Sequence, residues 1–229
     1  MAALRIFPSI LVALSFSLAV SAGDKQTAAE WVPREGLELI GTPAPAWNPE
    51  KIWLNSEPLS LEDLRGKVVL VRFWLIECPL CENTAPALNA LYRKYRESGL
   101  EIIGFHHPKS KHSRSPRVVK RYVKAYGFRF PVALDDDWET LRKFWLSRGK
   151  DRTFTSASFL IDRKGIIRWL HDGGEYHREG GEGHERCAAA YQSLDAAIDK
   201  LLSEGGYLRA ALEPPSARSL YSGGEGKFH

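Results

Sequence analysis

Residues 67–75 read KVVLVRFWL, and residues 76–81 continue as IECPLC. A nearly unbroken apolar run, rich in β-branched and aromatic residues, is typical of a central strand that is buried on both faces. Pro79 suits the first position of a helix, where a missing N–H costs nothing. The stretch therefore predicts a buried strand, a short turn and a helix that begins at a pair of cysteines.

In the rest of the chain, strands and helices first alternate, and the last two strands are then predicted to form an antiparallel pair. Residues 47–64 are predicted to form a short hairpin followed by a helical turn, and residues 162–165 (DRKG) a hairpin turn between two later strands. The order predicts an α/β fold with a mixed central sheet flanked by helices on both faces. In full, the predicted elements are strand 67–75, helix 79–98, strand 100–105, helix 116–126, strand 131–134, helix 138–145, strands 157–161 and 166–170, and helix 185–202.

Composition limits the class of protein. The chain has 229 residues, of which 44% are hydrophobic and 26% charged, with a net charge of +4. This balance is ordinary for a globular domain with one core. Residues 109–124 are the densest basic stretch, but apolar residues recur within it at helical spacing. We interpret it as a solvated helix face and expect no nucleic-acid partner.

The N-terminus predicts export. Residues 6–20 are largely apolar after the single charge of Arg5, and Val20-Ser21-Ala22 suits cleavage by signal peptidase. The predicted organisation is a signal peptide at 1–22, a loose lead-in at 23–45, one domain at 46–204 and a poorly ordered tail at 205–229. We expect a periplasmic protein with no stable membrane insertion after cleavage; secretion and an uncleaved signal anchor remain open.

The two cysteines of residues 78–81 stand where a helix begins. Cys78 is predicted at the N-cap, where unpaired N–H groups and the helix dipole stabilise a thiolate. The pKa of such a thiol falls to roughly 3.5–7.5, against about 8.5 for a free cysteine. Cys81 lies one turn further on, within reach of Cys78. In an exported domain this pattern favours redox chemistry over stapling.

Other uses of the pair are less well supported. A zinc half-site needs a second, closely spaced pair of ligands, and a c-type haem site needs a histidine where Glu82 stands. A structural disulfide across four residues removes little chain entropy. We therefore predict neither a metal site nor a cofactor.

The motifs resemble those of a known family. The runs LRGKVVL at 64–70, VRFW at 71–74, CPLC at 78–81 with Pro86, and FLIDRKG at 159–165 resemble the exported thioredoxin-like proteins of the TlpA/ResA kind. Residues 103–145 are similar to the thioredoxin-like module of DipZ-type proteins. The resemblance implies a thioredoxin fold, Cys78 as attacking thiol and Cys81 as resolving thiol. It also implies protein disulfide or dithiol substrates and an upstream redox partner.

Three positions depart from the family pattern. Ser156 stands where such proteins place a cis-proline; we expect its peptide bond to be trans and a proline there to be tolerated. Arg72 replaces a buried carboxylate or amide. It would favour the Cys78 thiolate, unless it snorkels or pairs with a carboxylate. Glu77 precedes Cys78 and would raise its pKa, so the direction of electron flow stays open.

The remaining candidates are weaker. A peroxidatic site resembles P-x-x-x-T-x-x-C, but Val71 and Leu75 occupy the first two defined positions, which disfavours a peroxidase. A copper-handling or chaperone-like binding module is the alternative function, and a structural adaptor is a third. The last candidate cluster is predicted to consist of exposed loop histidines and a buried, inert thiol: His171, His177, His184 and Cys187.

Overall fold

The structure is a computed structural model that describes residues 31–212. The predicted signal peptide lies outside the described residues. The strands are β1 (Trp53–Leu54), β2 (Val68–Trp74), β3 (Leu100–His106), β4 (Val132–Leu134), β5 (Ser158–Ile161) and β6 (Ile167–His171). The α-helices are α1 (Pro79–Tyr95), α2 (Pro116–Ala125), α3 (Glu139–Phe144) and α4 (Glu185–Leu212).

The described strands form one mixed sheet in the order β1-β4-β3-β2-β5-β6. β2 lies between β3, to which it is parallel, and β5, to which it is antiparallel. β5 and β6 form the predicted hairpin, and Gly165 supplies the positive φ of 83° that its turn needs. The central strand thus ends beside both a parallel and an antiparallel neighbour.

The apolar residues of β2 alternate between two cores. Val68, Leu70 and Trp74 pack with residues of α1, α2 and α4, whereas Val69, Val71 and Phe73 pack with residues of α3 and of the N-terminal segment. This division confirms the predicted helices on both faces. Because side chains alternate along a strand, Arg72 points to the same face as Leu70 and Trp74. That face carries α1.

The predicted hairpin at 47–64 is wrong. Only the two residues of β1 are strand within it, and they pair with β4. The indole of Trp47 donates to the Leu59 carbonyl at 2.7 Å, and the indole of Trp53 donates to the Pro49 carbonyl at 2.8 Å. These side-chain bonds hold the segment as a packed loop, and prolines at 49 and 58 cannot donate to a strand ladder.

The lead-in and the last helix also differ from expectation. From Trp31 onward the lead-in is packed and not loose: the Trp31 indole is buried and donates to the Leu170 carbonyl at 3.2 Å. α4 continues to Leu212, past its predicted end at residue 202 and into the predicted poorly ordered tail at 205–229, of which residues 213–229 lie outside the described residues. No helix within residues 31–212 is both long and apolar enough to cross a bilayer.

Candidate functional site

The cysteine pair lies at the junction of β2 and α1. Glu77 takes a left-handed conformation, with φ 60°, that turns the chain from the strand into the helix. Cys78 is the N-cap in an extended conformation, and Pro79 is the first residue of α1. The Cys78 Sγ accepts the backbone N–H of Cys81 at 3.4 Å. The strand therefore delivers the first thiol onto the unpaired donors of the helix N-terminus.

The pKa values of the two thiols are shifted in opposite directions. A hydrogen bond from the Cys81 side chain, backbone N–H groups of Cys81 and Leu80, and the charge of Arg72 lower the pKa of Cys78 to about 6, against the opposing effect of burial. The same hydrogen bond, together with burial, raises the pKa of Cys81 well above its ordinary value. Cys78 is partly exposed and Cys81 is buried. Cys78 is therefore the thiol that ionises and meets solvent.

Arg72 is buried below this pair. Its Nη1 donates to the Ser156 carbonyl at 2.5 Å and to the Ser158 Oγ at 3.2 Å, and its Nη2 donates to the Gly174 carbonyl at 2.9 Å. The guanidinium also lies 5.3 Å from the centroid of the Tyr176 ring. Among the described residues no carboxylate forms an ion pair with it. Arg72 thus neither snorkels nor pairs with a carboxylate; carbonyl oxygens hold it.

Ser156 lies in a buried turn before β5. Every peptide bond in the described part of the chain is trans, as expected for this position. The Ser156 Oγ accepts the backbone N–H of Gly174 at 3.1 Å, while its carbonyl accepts from Arg72. Ser156 therefore joins the turn before β5 to the loop after β6.

Glu77, directly before Cys78 in the chain, is exposed. Solvent screens an exposed carboxylate, so its charge acts on the thiol less than the buried guanidinium does. His107, by contrast, is buried near the site, and its Nε2 lies 2.9 Å from the Thr155 Oγ1. Burial lowers the pKa of His107 to about 3, so its ring is neutral. In the sequence His107 follows the apolar run of β3 and precedes a polar, basic stretch, and neither carries a signal of this contact.

The histidine cluster is not arranged as predicted. His171 is buried and stacks on the Trp31 ring, with centroids 4.7 Å apart. His177, His184 and Cys187 instead converge with Glu175, and the candidate ligand atoms of all four lie within 4.8 Å of one another. Cys187 is partly exposed, so the prediction of a fully buried thiol is wrong. Partial burial still raises the pKa of this thiol, as an unreactive cysteine requires.

A pocket of about 330 Å³ adjoins the cysteine pair. Leu80, from between the two cysteines, lines it together with Phe154, Gly173, Gly174 and Cys187. The rest of its lining includes charged side chains, so the pocket has mixed polarity.

A model of the AhpC/TSA family matches residues 40–170, which is more than half of the chain. The chain belongs to the AhpC/TSA family. The matched segment runs from the N-terminal packed loop through β6, and so contains both cysteines, Arg72 and Ser156.

Curated relatives agree with the resemblance drawn from the motifs. Protein DipZ of Mycobacterium bovis is 34% identical over 145 residues, covering 62% of this chain and 20% of that protein. The thiol-disulfide oxidoreductase ResA of Bacillus thuringiensis is 35% identical over 114 residues, covering 50% of this chain and 60% of that protein. The matched segments thus span about a fifth of the length of DipZ and three fifths of the length of ResA.

Solved structures confirm the thioredoxin-like fold. A thiol-disulfide isomerase from Corynebacterium glutamicum is 31% identical with a TM-score of 0.53, covering 70% of this chain and 97% of that one. The solution structure of a thioredoxin-like protein in its oxidised form is 26% identical with a TM-score of 0.55, covering 71% and 95%. The alignments cover nearly the whole of both neighbouring chains, so the similarity is not limited to the residues around the cysteines.

The acidity of Cys78 can be measured by alkylation. In a Cys187→Ser background, the rate of reaction with iodoacetamide should fall as the pH is lowered through about 6, because only the thiolate reacts. Arg72→Met should move this midpoint to higher pH by removing the cation, and Arg72→Lys should move it less. A wild-type midpoint near the roughly 8.5 of a free cysteine would contradict the prediction.

Ser156→Pro should destabilise the fold, contrary to the tolerance expected from the sequence. The substitution removes the hydroxyl that accepts the Gly174 N–H and leaves that buried donor unpaired, at a cost of about 1–3 kcal/mol. Ser156→Ala is the matched control, since it removes the hydroxyl and leaves the backbone free. Urea unfolding of both variants gives the free energies. Wild-type stability in Ser156→Ala would show that the hydroxyl bond contributes nothing.

Proposed function

We propose that the protein is a thiol-disulfide oxidoreductase that exchanges disulfides with exported proteins through Cys78 and Cys81. One observation carries the proposal: the exposed thiol has a lowered pKa and the buried thiol one turn away has a raised pKa. Thiol-disulfide exchange needs this division, because one thiol must attack as a thiolate while the other waits protonated. The names of the relatives, ResA and the isomerase, support the same chemistry.

In the reductive direction the chemistry has two steps. The Cys78 thiolate attacks one sulfur of a substrate disulfide, forming a mixed disulfide and releasing the other substrate sulfur as a thiolate, which takes up a proton. Cys81 then loses its proton and attacks the Cys78 sulfur. The Cys78–Cys81 disulfide forms and the second substrate thiol leaves. The substrate gains two electrons from Cys78 and Cys81. An upstream dithiol must then reduce the Cys78–Cys81 disulfide.

Each residue of the site has a defined part in these steps. The helix N–H groups and the Arg72 charge stabilise the Cys78 thiolate, both as nucleophile and as leaving group. Pro79 begins the helix without requiring a partner for an N–H. The turn containing Ser156 lies against the Arg72 guanidinium, at the edge where a substrate backbone would approach, and Glu77 forms part of the exposed rim.

Trapping experiments test the order of the two thiols. Cys81→Ser should accumulate mixed disulfides with partner proteins, because the resolving thiol is gone, whereas Cys78→Ser should accumulate almost none. Both variants should lose multi-turnover disulfide reduction, and Cys187→Ser should keep it. Non-reducing gel electrophoresis of extracts from the native compartment shows the complexes, and mass spectrometry identifies the partners.

Equal trapping by the Cys78→Ser and Cys81→Ser variants would contradict the assigned order. Copper retained at one ion per chain, with no disulfide reduction by the wild type, would favour the copper-handling alternative instead. Rapid consumption of hydrogen peroxide would favour a peroxidase, which the residues at 71 and 75 disfavour.

Export is part of the proposal and has its own test. We expect the mature chain to begin at or near Gly23, because the small residues Val20 and Ala22 suit signal peptidase and the sequence turns polar afterwards. Intact-mass measurement of the protein from its native host checks this. A chain that keeps Met1 and fractionates with the cytosol would contradict the proposed compartment.

A further inference from the structure

Four side chains from two segments converge beside α1. Glu175 and His177 come from the loop after β6, where the intervening Tyr176 is buried and the two flanking side chains are partly exposed. His184 precedes the first residue of α4, and its carbonyl accepts the N–H of Ala188 at 3.0 Å, so it is already in the helical turn. Cys187 follows three residues later. Residues three apart in a helical turn share a face, which points both side chains at the loop.

All four donor atoms lie within 4.8 Å of one another, and three of the distances between them match those between ligands of one ion. The His177 Nε2 lies 3.1 Å from the His184 Nδ1, which lies 3.6 Å from the Glu175 Oε1. The Cys187 Sγ lies 4.0 Å from the same carboxylate oxygen. Bonds from Zn²⁺ to nitrogen, oxygen and sulfur are about 2.0–2.3 Å long, so ligand atoms around a tetrahedral zinc stand roughly 3–4 Å apart.

Two of the four groups also form hydrogen bonds with residues outside the cluster. The His177 Nδ1 lies 2.6 Å from the Glu179 carbonyl, which requires the proton on that nitrogen and leaves the lone pair on Nε2, facing the cluster. The Glu175 Oε2 accepts from the Asn83 side chain at 2.7 Å, leaving Oε1 for the cluster. Metal-binding histidines and carboxylates are oriented by such outer partners.

We propose that Glu175, His177, His184 and Cys187 form a zinc site. Two imidazoles, a thiolate and a carboxylate make a mixed set that suits a borderline cation with tetrahedral preference. Cu⁺ prefers softer sets of thiolates and thioethers, and Mg²⁺ or Ca²⁺ would require more oxygen ligands. Four protein ligands close the shell, so the site is structural and leaves no open position for catalysis.

A zinc ion here would join three elements. It would fix the loop that follows β6 to the start of α4, and Asn83 would extend the connection to the second turn of α1. Gly174, next to Glu175, accepts from Arg72 and donates to Ser156. The site therefore stabilises the loop that borders the redox pair. Its existence does not depend on the function proposed for Cys78 and Cys81.

Metal titration of the full mature chain, without an affinity tag, tests the site. Cys78 and Cys81 are first replaced by alanine, so that Cys187 is the remaining thiol. Co²⁺ should then bind at one ion per chain, with visible bands of tetrahedral cobalt and a near-ultraviolet sulfur-to-cobalt charge-transfer band. Zn²⁺ should displace it, and the zinc-loaded protein should melt at a higher temperature than the chelated one.

Variants of the cluster decide the assignment. Cys187→Ser should abolish the charge-transfer band, and His184→Ala, at a half-exposed position, should weaken binding by at least about 10-fold, the lower end of what loss of an outer partner costs. His112→Ala, which changes an exposed histidine elsewhere, should leave binding unchanged. Circular dichroism confirms that each variant is folded.

Two results would overturn the proposal. Absence of stoichiometric Co²⁺ or Zn²⁺ binding would mean that the cluster is held by an imidazole–imidazole hydrogen bond alone. Binding that survives unchanged in both Cys187→Ser and His184→Ala would place the metal elsewhere. Neither result bears on disulfide exchange, which the trapping experiment measures with the redox cysteines in place.

Discussion

Arg72 carries its charge on the middle strand of the sheet, yet only 1% of the residue is exposed. Burying a charge costs several kcal/mol unless dipoles or counter-charges replace the lost water. Here the Ser156 and Gly174 carbonyls and the Tyr176 ring take that part. Because the guanidinium fork is planar and rigid, it also fixes where those groups lie. The turn before β5 and the loop after β6 are thereby held at defined positions around the end of β2.

In the proposed disulfide exchange, the same charge would distinguish the reduced site from the oxidised one. In the reduced protein the Cys78 thiolate lies within reach of the Arg72 field, and each stabilises the other. Formation of a Cys78–Cys81 disulfide removes the negative charge and leaves the guanidinium with carbonyl dipoles only. Arg72 therefore stabilises the dithiol form relative to the disulfide. A pair built on this strand accepts electrons more readily than the same pair would without the cation, by the reasoning that applies to low-pKa thiols in general.

Local patterns predicted the parts of this fold that depend on local physics. The apolar run of β2, Pro79 at the start of α1 and the turn that ends at Gly165 are each decided by neighbours in sequence, so the strand, the helix and the hairpin were predictable. A lowered pKa of Cys78 was expected from its N-cap position, but the hydrogen bond from the Cys81 side chain is the larger cause in the structure. The predictions that were wrong concern segments whose structure depends on long-range contacts. The packing of Trp31 is decided by a carbonyl 139 residues away, and the segment at 47–64 by indole bonds that no periodicity reveals.

Gly174 and Glu175 show why the outer part of the site could not be inferred from the chain alone. Neither belongs to a motif, and the carbonyl that holds Arg72 has no sequence signature at all. The sequence pattern predicts Cys187 in the core because it continues the apolar stripe of α4, and residues from Tyr191 onward do follow that pattern. At the first turn, however, Cys187 faces the loop after β6, where its Sγ lies 4.0 Å from the Glu175 Oε1. The loop after β6 thus contacts Arg72 through Gly174 and contributes Glu175 to the group of candidate zinc ligands. Because the two residues are adjacent, ordering one of them restricts the position of the other.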